Sequence, residues 1–219
     1  MINIWEKHYS EGNQLNMYPY PEVVRFIKNS TKTFQKDELT GLDIGIGSGV
    51  HMGLLEHFGY TVTGIDFSPS SIDYAKNFFC SDSATLICGD LKDFNKHIYR
   101  KKFDVIVDRL SSTHTSKKIV KNIFCNPKKI LNEFGKVHWS GFDDKNEHRL
   151  YAKNQDPDAF SEFSEGKFKN LEKACFFSEA EVVEIFKNYH ISRLDRICVG
   201  DTKTGLEDSY WLFEGTYHE

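Results

Sequence analysis

The apolar run from Leu39 to Ile46 reads as a buried strand that breaks on three alternating glycines, Gly45, Gly47 and Gly49. Glycine lets a backbone turn tightly and approach a ligand with no side chain between them, so this loop is a candidate binding loop. In dinucleotide sites the third glycine falls one position later, as GxGxxG, and a helix N-terminus faces the pyrophosphate. Val50 and His51 follow Gly49 here, and that pattern fails. Asp43 sets a carboxylate just before the loop. Asp66 closes the next apolar run, where a carboxylate either accepts bonds from both hydroxyls of a ribose or caps a turn. Asp90, in Cys88-Gly89-Asp90-Leu91, either receives an adenine amino group or closes a simple turn, and Phe67 either lies on the adenine or packs.

The elements that must position these groups alternate. Met52, Leu55 and Phe58 share a helical face that Gly59 stops. Tyr60 to Ile65 is a second strand, after which Ser68 caps a helix with Pro69 at its first position and Ile72, Ala75 and Phe79 on one stripe. Strands follow at Ala84–Cys88, Phe103–Asp108 and Gly135–Gly141, with a helix at Ile119, Val120 and Ile123 before Pro127. Repeated β-α-β units imply a parallel sheet with helices on both faces. A polar stretch from Phe142 to Cys175 breaks the rhythm and reads as an irregular lid with room for a short helix. Ser178 and Glu181 then form a capping box, and Ile191–Val199 and Ser209–Thr216 read as an antiparallel pair.

LDIGIGSGVH, VTGIDFSPSSIDYAK, CGD and FDVIVDR together resemble the four motifs of the class I S-adenosylmethionine-dependent methyltransferases, over nearly the whole chain. The resemblance implies a single Rossmann-like α/β domain over residues 1–219, with a seven-stranded, mostly parallel sheet in the order 3-2-1-4-5-7-6, last strand antiparallel. It implies S-adenosylmethionine as cofactor, with Gly45, Gly47 and Gly49 lining it, Asp66 at the ribose, and Asp90 and Leu91 at the adenine. Asn132-Glu133-Phe134-Gly135 departs from the family's usual proline-glycine turn. A narrower resemblance, carried by Trp5-x-x-His8-Tyr9-x-x-Gly12, Tyr18-Pro19 and Asp108-Arg109-x-x-x-Thr113-His114, is to small bacterial methyltransferases of surface-polysaccharide and sugar modification. It implies a small-molecule acceptor, a sugar hydroxyl.

A hydroxyl is a poor nucleophile at neutral pH, and a general base helps it. His114, after the fourth strand at the edge where open α/β sheets bind ligands, is the candidate, with Asp108 beside it at the methionine part of the cofactor. Arg109 either pairs with Asp108 or binds a phosphate or carboxylate of the substrate. Residues 1–36 read as a cover, with Trp5, Tyr9, Tyr18 and Tyr20 over the cofactor and Arg25 either at its carboxylate or on the surface. Residues 142–175 offer His148, Arg149, Tyr151 and Lys153 to a substrate, Tyr151 foremost. Asp143 and Asp144 are neighbours on a strand and so point to opposite sides, and no metal is expected. An amine acceptor, a non-catalytic cofactor-binding protein and, more distantly, a nicotinamide oxidoreductase are the alternatives.

Composition agrees with a globular domain of 219 residues, 39% hydrophobic and 27% charged. A net charge of −4 gives no electrostatic footprint for nucleic acid. Five scattered cysteines without a CxxC pair argue for reduced thiols and a cytoplasmic location, with no signal peptide or membrane-length apolar run. A monomer or homodimer is expected.

Overall fold

The computed structural model describes residues 4–200 and 205–219, so the first three residues of the expected cover lie outside the described residues. Two helices, α1 (Ile4–Ser10) and α2 (Pro21–Thr31), precede the alternating core. That core runs β1 (Leu39–Ile44), α3 (Val50–His57), β2 (Tyr60–Asp66), α4 (Pro69–Phe78), β3 (Thr85–Cys88), α5 (Phe94–His97), β4 (Phe103–Arg109), α6 (Lys117–Phe124) and β5 (Leu131–Asp143). Four short strands follow: β6 (Ala152–Gln155), β7 (Phe160–Phe163), β8 (Lys173–Ala174) and β9 (Phe176–Phe177). Helix α7 (Glu179–Ile185) and the long strands β10 (His190–Gly200) and β11 (Glu207–Thr216) complete the chain.

The main sheet runs β3-β2-β1-β4-β5-β11-β10. Strands β1 to β5 pair in parallel, and β11 is antiparallel to both β5 and β10. The path follows the expected order, but β9 adds an eighth strand beside the end of β5. Leu42, Ile44, Ile106, Trp139 and Phe213 pack under α5, α6 and α7 on one face. Val105, Val107, Met52, Leu55, Phe26 and Ile27 form the core under α2, α3 and α4 on the other.

Local signals set the helix ends. The Ser68 hydroxyl accepts the Ser71 N–H at the start of α4, behind Pro69, and Ser178 with Glu181 completes a reciprocal capping box on α7. Residues 142–175 differ from the expected irregular loop. Strands β6, β7 and β8 form an antiparallel sheet of their own, over a cluster of Phe142, Phe163, Phe168 and Phe176 that Trp5 and Leu110 join. Burying a phenylalanine contributes about 1.5–3 kcal/mol, enough for such a cluster to order a segment that periodicity left undefined. Asp143 ends β5 with its carboxylate on Arg196, and Asp144 follows in the turn with its N–H on the Phe177 carbonyl.

Candidate active site

The glycine loop leaves β1 at the carboxyl edge of the sheet, where strand ends open towards ligands. Gly45 has φ +75°, and a methyl group there would lie 1.7 Å from Ser111 Oγ, so the loop after β4 seats directly on it. Gly47 donates its N–H to Asp66 Oδ2 at 3.0 Å, and Asp66 Oδ1 takes the Ser68 N–H at 2.9 Å. An ionised carboxylate has about four acceptor positions, so Asp66 ties the loop to β2 and keeps capacity for a ligand. Asp108 Oδ1 accepts the N–H groups of Ser111 and Ser112, at 3.0 and 3.1 Å, and so shapes the turn after β4.

Asp43, Asp66 and Asp108 are all buried, and no cation pairs with any of them among the described residues. Burial, then the charges of Asp108 and Asp66, push the Asp43 carboxyl well above its ordinary value. Burial raises Asp108 to about 6 against its backbone hydrogen bonds, and raises Asp66 too. Both oxygens of Asp43 and Oδ2 of Asp108 are buried without a hydrogen-bond partner. Orphaned buried carboxylate oxygens call for a ligand that brings donors and positive charge. S-adenosylmethionine has a cationic sulfonium and an ammonium group, so the unpartnered carboxylates of Asp43 and Asp108 fit a group of that charge.

Helix α1 packs at this edge against the start of α4. Glu6 accepts from the hydroxyls of Ser68 and Ser70, at 2.5 and 2.7 Å, and pins α1 to the start of α4. These bonds hold the Glu6 carboxyl below its ordinary value. The Tyr9 hydroxyl stands 3.1 Å from where a side chain on Gly47 would begin, and burial raises its pKa. The Trp5 ring stacks on Tyr9 and meets His114 edge-on, with centroids 4.8 Å apart. Phe142 closes the other side of His114 at 5.3 Å. Inside this largely apolar box burial, then the charge of Lys167, push His114 down to about 3, and the ring is neutral and a weak base. Its Nδ1 is buried without a partner.

Other expectations land elsewhere. Arg25 turns away from the loop and pairs with Glu214 on β11 at 3.1 Å. Arg109 pairs with Glu22 at 3.0 Å rather than with Asp108, whose carboxylate is already bonded to the following turn. Tyr18 points to solvent, 84% exposed, and Phe67 is 39% exposed. Asp90 caps its own turn through the Lys92 N–H at 2.8 Å and meets Lys92 Nζ at 3.3 Å. Leu91 packs against the core beside it. Tyr151 lies with its ring against Gly166 inside the β6–β8 layer. Sequence reasoning missed Glu6, Glu22, Ser111, His51 and His138. Only Ser111, two residues past β4, had a local signal.

His138 belongs to a row that crosses five strands in register: Asp43, Val107, His138, Glu214 and Arg193. The row faces α2, and His138 Nδ1 stands 3.5 Å from Glu214.

The fold and the carboxyl-edge site define a class, the Rossmann-like α/β methyltransferase fold with a mixed sheet. A family described as "Methyltransferase domain" matches residues 42–135, from β1 into β5. The chain is 25% identical over 184 residues to malonyl-[acyl-carrier protein] O-methyltransferase of Priestia megaterium, covering 79% of this chain and 64% of that protein. The match thus spans under two thirds of the length of that relative. A SAM-dependent methyltransferase of Methanosarcina mazei shares the fold with a TM-score of 0.64 at 17% identity, over 92% of this chain and 99% of the other. The N-methyltransferase NodS of Bradyrhizobium japonicum, solved with S-adenosyl-L-homocysteine, superposes with a TM-score of 0.65 at 14% identity, over 99% and 97%. Residues 42–135 are thus similar to a methyltransferase domain, and the structural likeness extends over nearly the whole chain. No described helix is long and apolar enough to cross a membrane.

Proposed function

We propose that the protein is an S-adenosylmethionine-dependent methyltransferase that moves a methyl group to a small polar acceptor, a hydroxyl of a nucleotide-linked sugar or polysaccharide precursor. The observation that carries the cofactor half is the unpartnered carboxylate of Asp43 behind the glycine loop, with Asp66 and Asp108 beside it. The bound cofactor supplies a methyl group already activated on sulfur, so the protein's part is binding, alignment and exclusion of water. Asp66 receives the ribose, the glycine loop admits the backbone to close range, and α1 with Trp5 and Tyr9 excludes solvent.

The acceptor side is bounded by Trp5, His114, Phe142 and the β6–β8 layer, which serves as the substrate lid, with Tyr151 and Arg109 at its margins. Aromatic walls with few polar groups suit the mixed polar and apolar faces of a sugar. The relative from Priestia megaterium is named as an O-methyltransferase, which supports an oxygen acceptor. A second reading, an amine acceptor, is favoured by His114: held to about 3, it is a poor base for a hydroxyl, whereas a neutral amine needs none. The NodS likeness supports the same reading.

Calorimetric titration with S-adenosylmethionine and S-adenosylhomocysteine tests the cofactor assignment, and absence of binding to either removes it. Incubation with labelled S-adenosylmethionine and a panel of nucleotide sugars and amines, read by mass spectrometry, decides between acceptors. Methylated amines with untouched sugars would overturn the sugar reading. Tight cofactor binding without any product would instead favour a sensor.

A further inference from the structure

We propose that the free edge of β10 pairs with β10 of a second copy of this chain, antiparallel about a two-fold axis at Leu194, so that the two main sheets become one. This surface stands apart from the cofactor edge and does not depend on what the protein methylates.

The two edges of the main sheet are built differently. Strand β3 closes one side with four residues, whereas β10 runs for eleven and pairs with β11 along its length. No described strand takes the other side of β10, and its outward N–H and C=O groups bond to no backbone group among the described residues. A long bare edge is a template for another chain, and proteins that stay monomeric blunt it with a short strand, proline, lysine or a bulge. Strand β10 contains neither proline nor lysine, and its bulge, at Ser192, lies near one end. Ile191 and Val199 are exposed towards its two ends, at 37% and 53%, and both fall within reach of the seam.

Charge selects the partner and the register. A two-fold axis normal to the sheet keeps every side chain on its own face, so the axis passes through a residue, which then faces itself. With the axis at Arg193, Asp195 or Arg196, like charges stand directly opposite each other, which is destabilising. An axis at Ile197 sets Asp195 against Val199, and one at Cys198 sets Arg196 against Gly200, so charge goes unmatched in both. With the axis at Leu194, leucine meets leucine, and Arg193 of each copy stands opposite Asp195 of the other. Within one chain Arg193 Nε already donates to Asp195 Oδ2 at 2.5 Å, and Nη1 donates to Glu214. The remaining terminal nitrogen, Nη2, donates to none of the described residues, and Asp195 is still 45% exposed. Pairing closes the two arginines and two aspartates into a square of alternating charge. The strand is therefore complementary to itself in one register, which commits the partner to a second copy.

The test uses the full chain, with each variant checked for an unchanged Tm. Sedimentation equilibrium from about 1 to 100 µM should show a monomer–dimer equilibrium. Asp195→Lys sets a lysine opposite Arg193 twice over and should weaken the dimer roughly tenfold or more, as should Arg193→Glu, with the charges reversed. An equimolar mixture of the two variants matches the charges again and should recover the wild-type affinity as a heterodimer, which a general loss of folding would not do. Should Arg193→Glu lose stability beside Glu214, a disulfide decides. Directly opposed residues have Cα atoms about 4.5–5.5 Å apart, within reach of a disulfide, so Leu194→Cys in a Cys198→Ser background should give a covalent dimer on mild oxidation. Wild type, whose Cys198 faces His190 of the second copy, should not. A chain that stays monomeric across that range overturns the proposal. So does a dimer that is indifferent to Asp195→Lys and leaves Leu194→Cys uncrosslinked, or one that crosslinks through Cys198, since its axis then lies elsewhere.

Discussion

Asp108→Asn separates the electrostatic cost of the site from its hydrogen bonding. The carboxamide keeps an oxygen for the N–H groups of Ser111 and Ser112, so the turn after β4 survives. What disappears is the buried charge. Burial lifts the Asp108 pKa from 3.8 to about 6. Below the unfolded-state value the group is protonated in both states and adds no pH dependence. As pH rises towards 6 the unfolded chain releases the proton while the folded chain holds it, so stability is lost across that window. The shift is about 2 units at about 1.4 kcal/mol each, so the wild type gives up about 3 kcal/mol that the variant keeps.

Urea denaturation of the apo-protein at pH 4 and pH 8 reads this directly. With a slope of about 1–3 kcal/mol per molar, the variant's midpoint should exceed that of wild type by roughly 1 M or more at pH 8 and match it near pH 4. Other titrating groups cancel in the difference, apart from Asp43, whose own cost falls when the charge of Asp108 is gone. A variant no more stable than wild type at pH 8, or a difference independent of pH, would refute the claim that Asp108 is an uncompensated buried carboxyl.

Four further outcomes are expected. Asp43→Asn should weaken cationic S-adenosylmethionine roughly tenfold more than S-adenosylhomocysteine, since only the former carries a sulfonium charge for an ionised Asp43 to attract, and charge pairs at an effective dielectric of about 20 interact by about 1–4 kcal/mol; equal losses by calorimetry would remove its charge role. Gly45→Ala should cost about 1–3 kcal/mol in chemical denaturation, and Ser111→Gly should restore part of it by clearing the 1.7 Å contact, while φ +75° remains unfavourable. Trp5→Ala should expose His114 and raise its pKa from about 3 towards the ordinary value near 6.5, read from imidazole proton shifts in an NMR titration. Glu6→Ala should release α1, seen as roughly tenfold faster proteolysis before Tyr20, and wild type should show the same release only as pH falls through the depressed Glu6 pKa.

The parts of this fold that were legible in sequence are those set by neighbours in the chain. The glycine loop, the Ser68 cap with Pro69 and the Ser178–Glu181 box all act within a few residues, and all stand where the spacing put them. Residues 142–175 were opaque because the partners that order them are distant. Phe163, Phe168 and Phe176 have no single period, and they become a core only when Phe142, Trp5 and Leu110 meet them. The two arginines show the same limit. Arg25 stood in a helical pattern and Arg109 beside Asp108, yet Glu214 claims the first across 189 residues and Glu22 the second across 87. Carboxylate partners compete for cations through space, and spacing along the chain says nothing about which one wins.

The same physics bears on the edge that holds the carboxylates. Asp43, Asp66 and Asp108 are buried, and His114 is half-buried with its Nδ1 removed from water. The sheet cannot yield, because its strand ends lie between two cores. Helix α1 can: it is one short helix with no fully buried residue, fastened by the Glu6 bonds to α4 and by the packing of Trp5. Segments with few buried contacts open at the lowest free energy. Gly12, at φ +74° with open space around it, ends that helix and leaves the backbone free to swing. Helix α1 is therefore the segment of this edge with the least to lose on opening. The contacts of Glu6 with α4 and of Trp5 with His114 are accordingly the ones whose loss frees the segment.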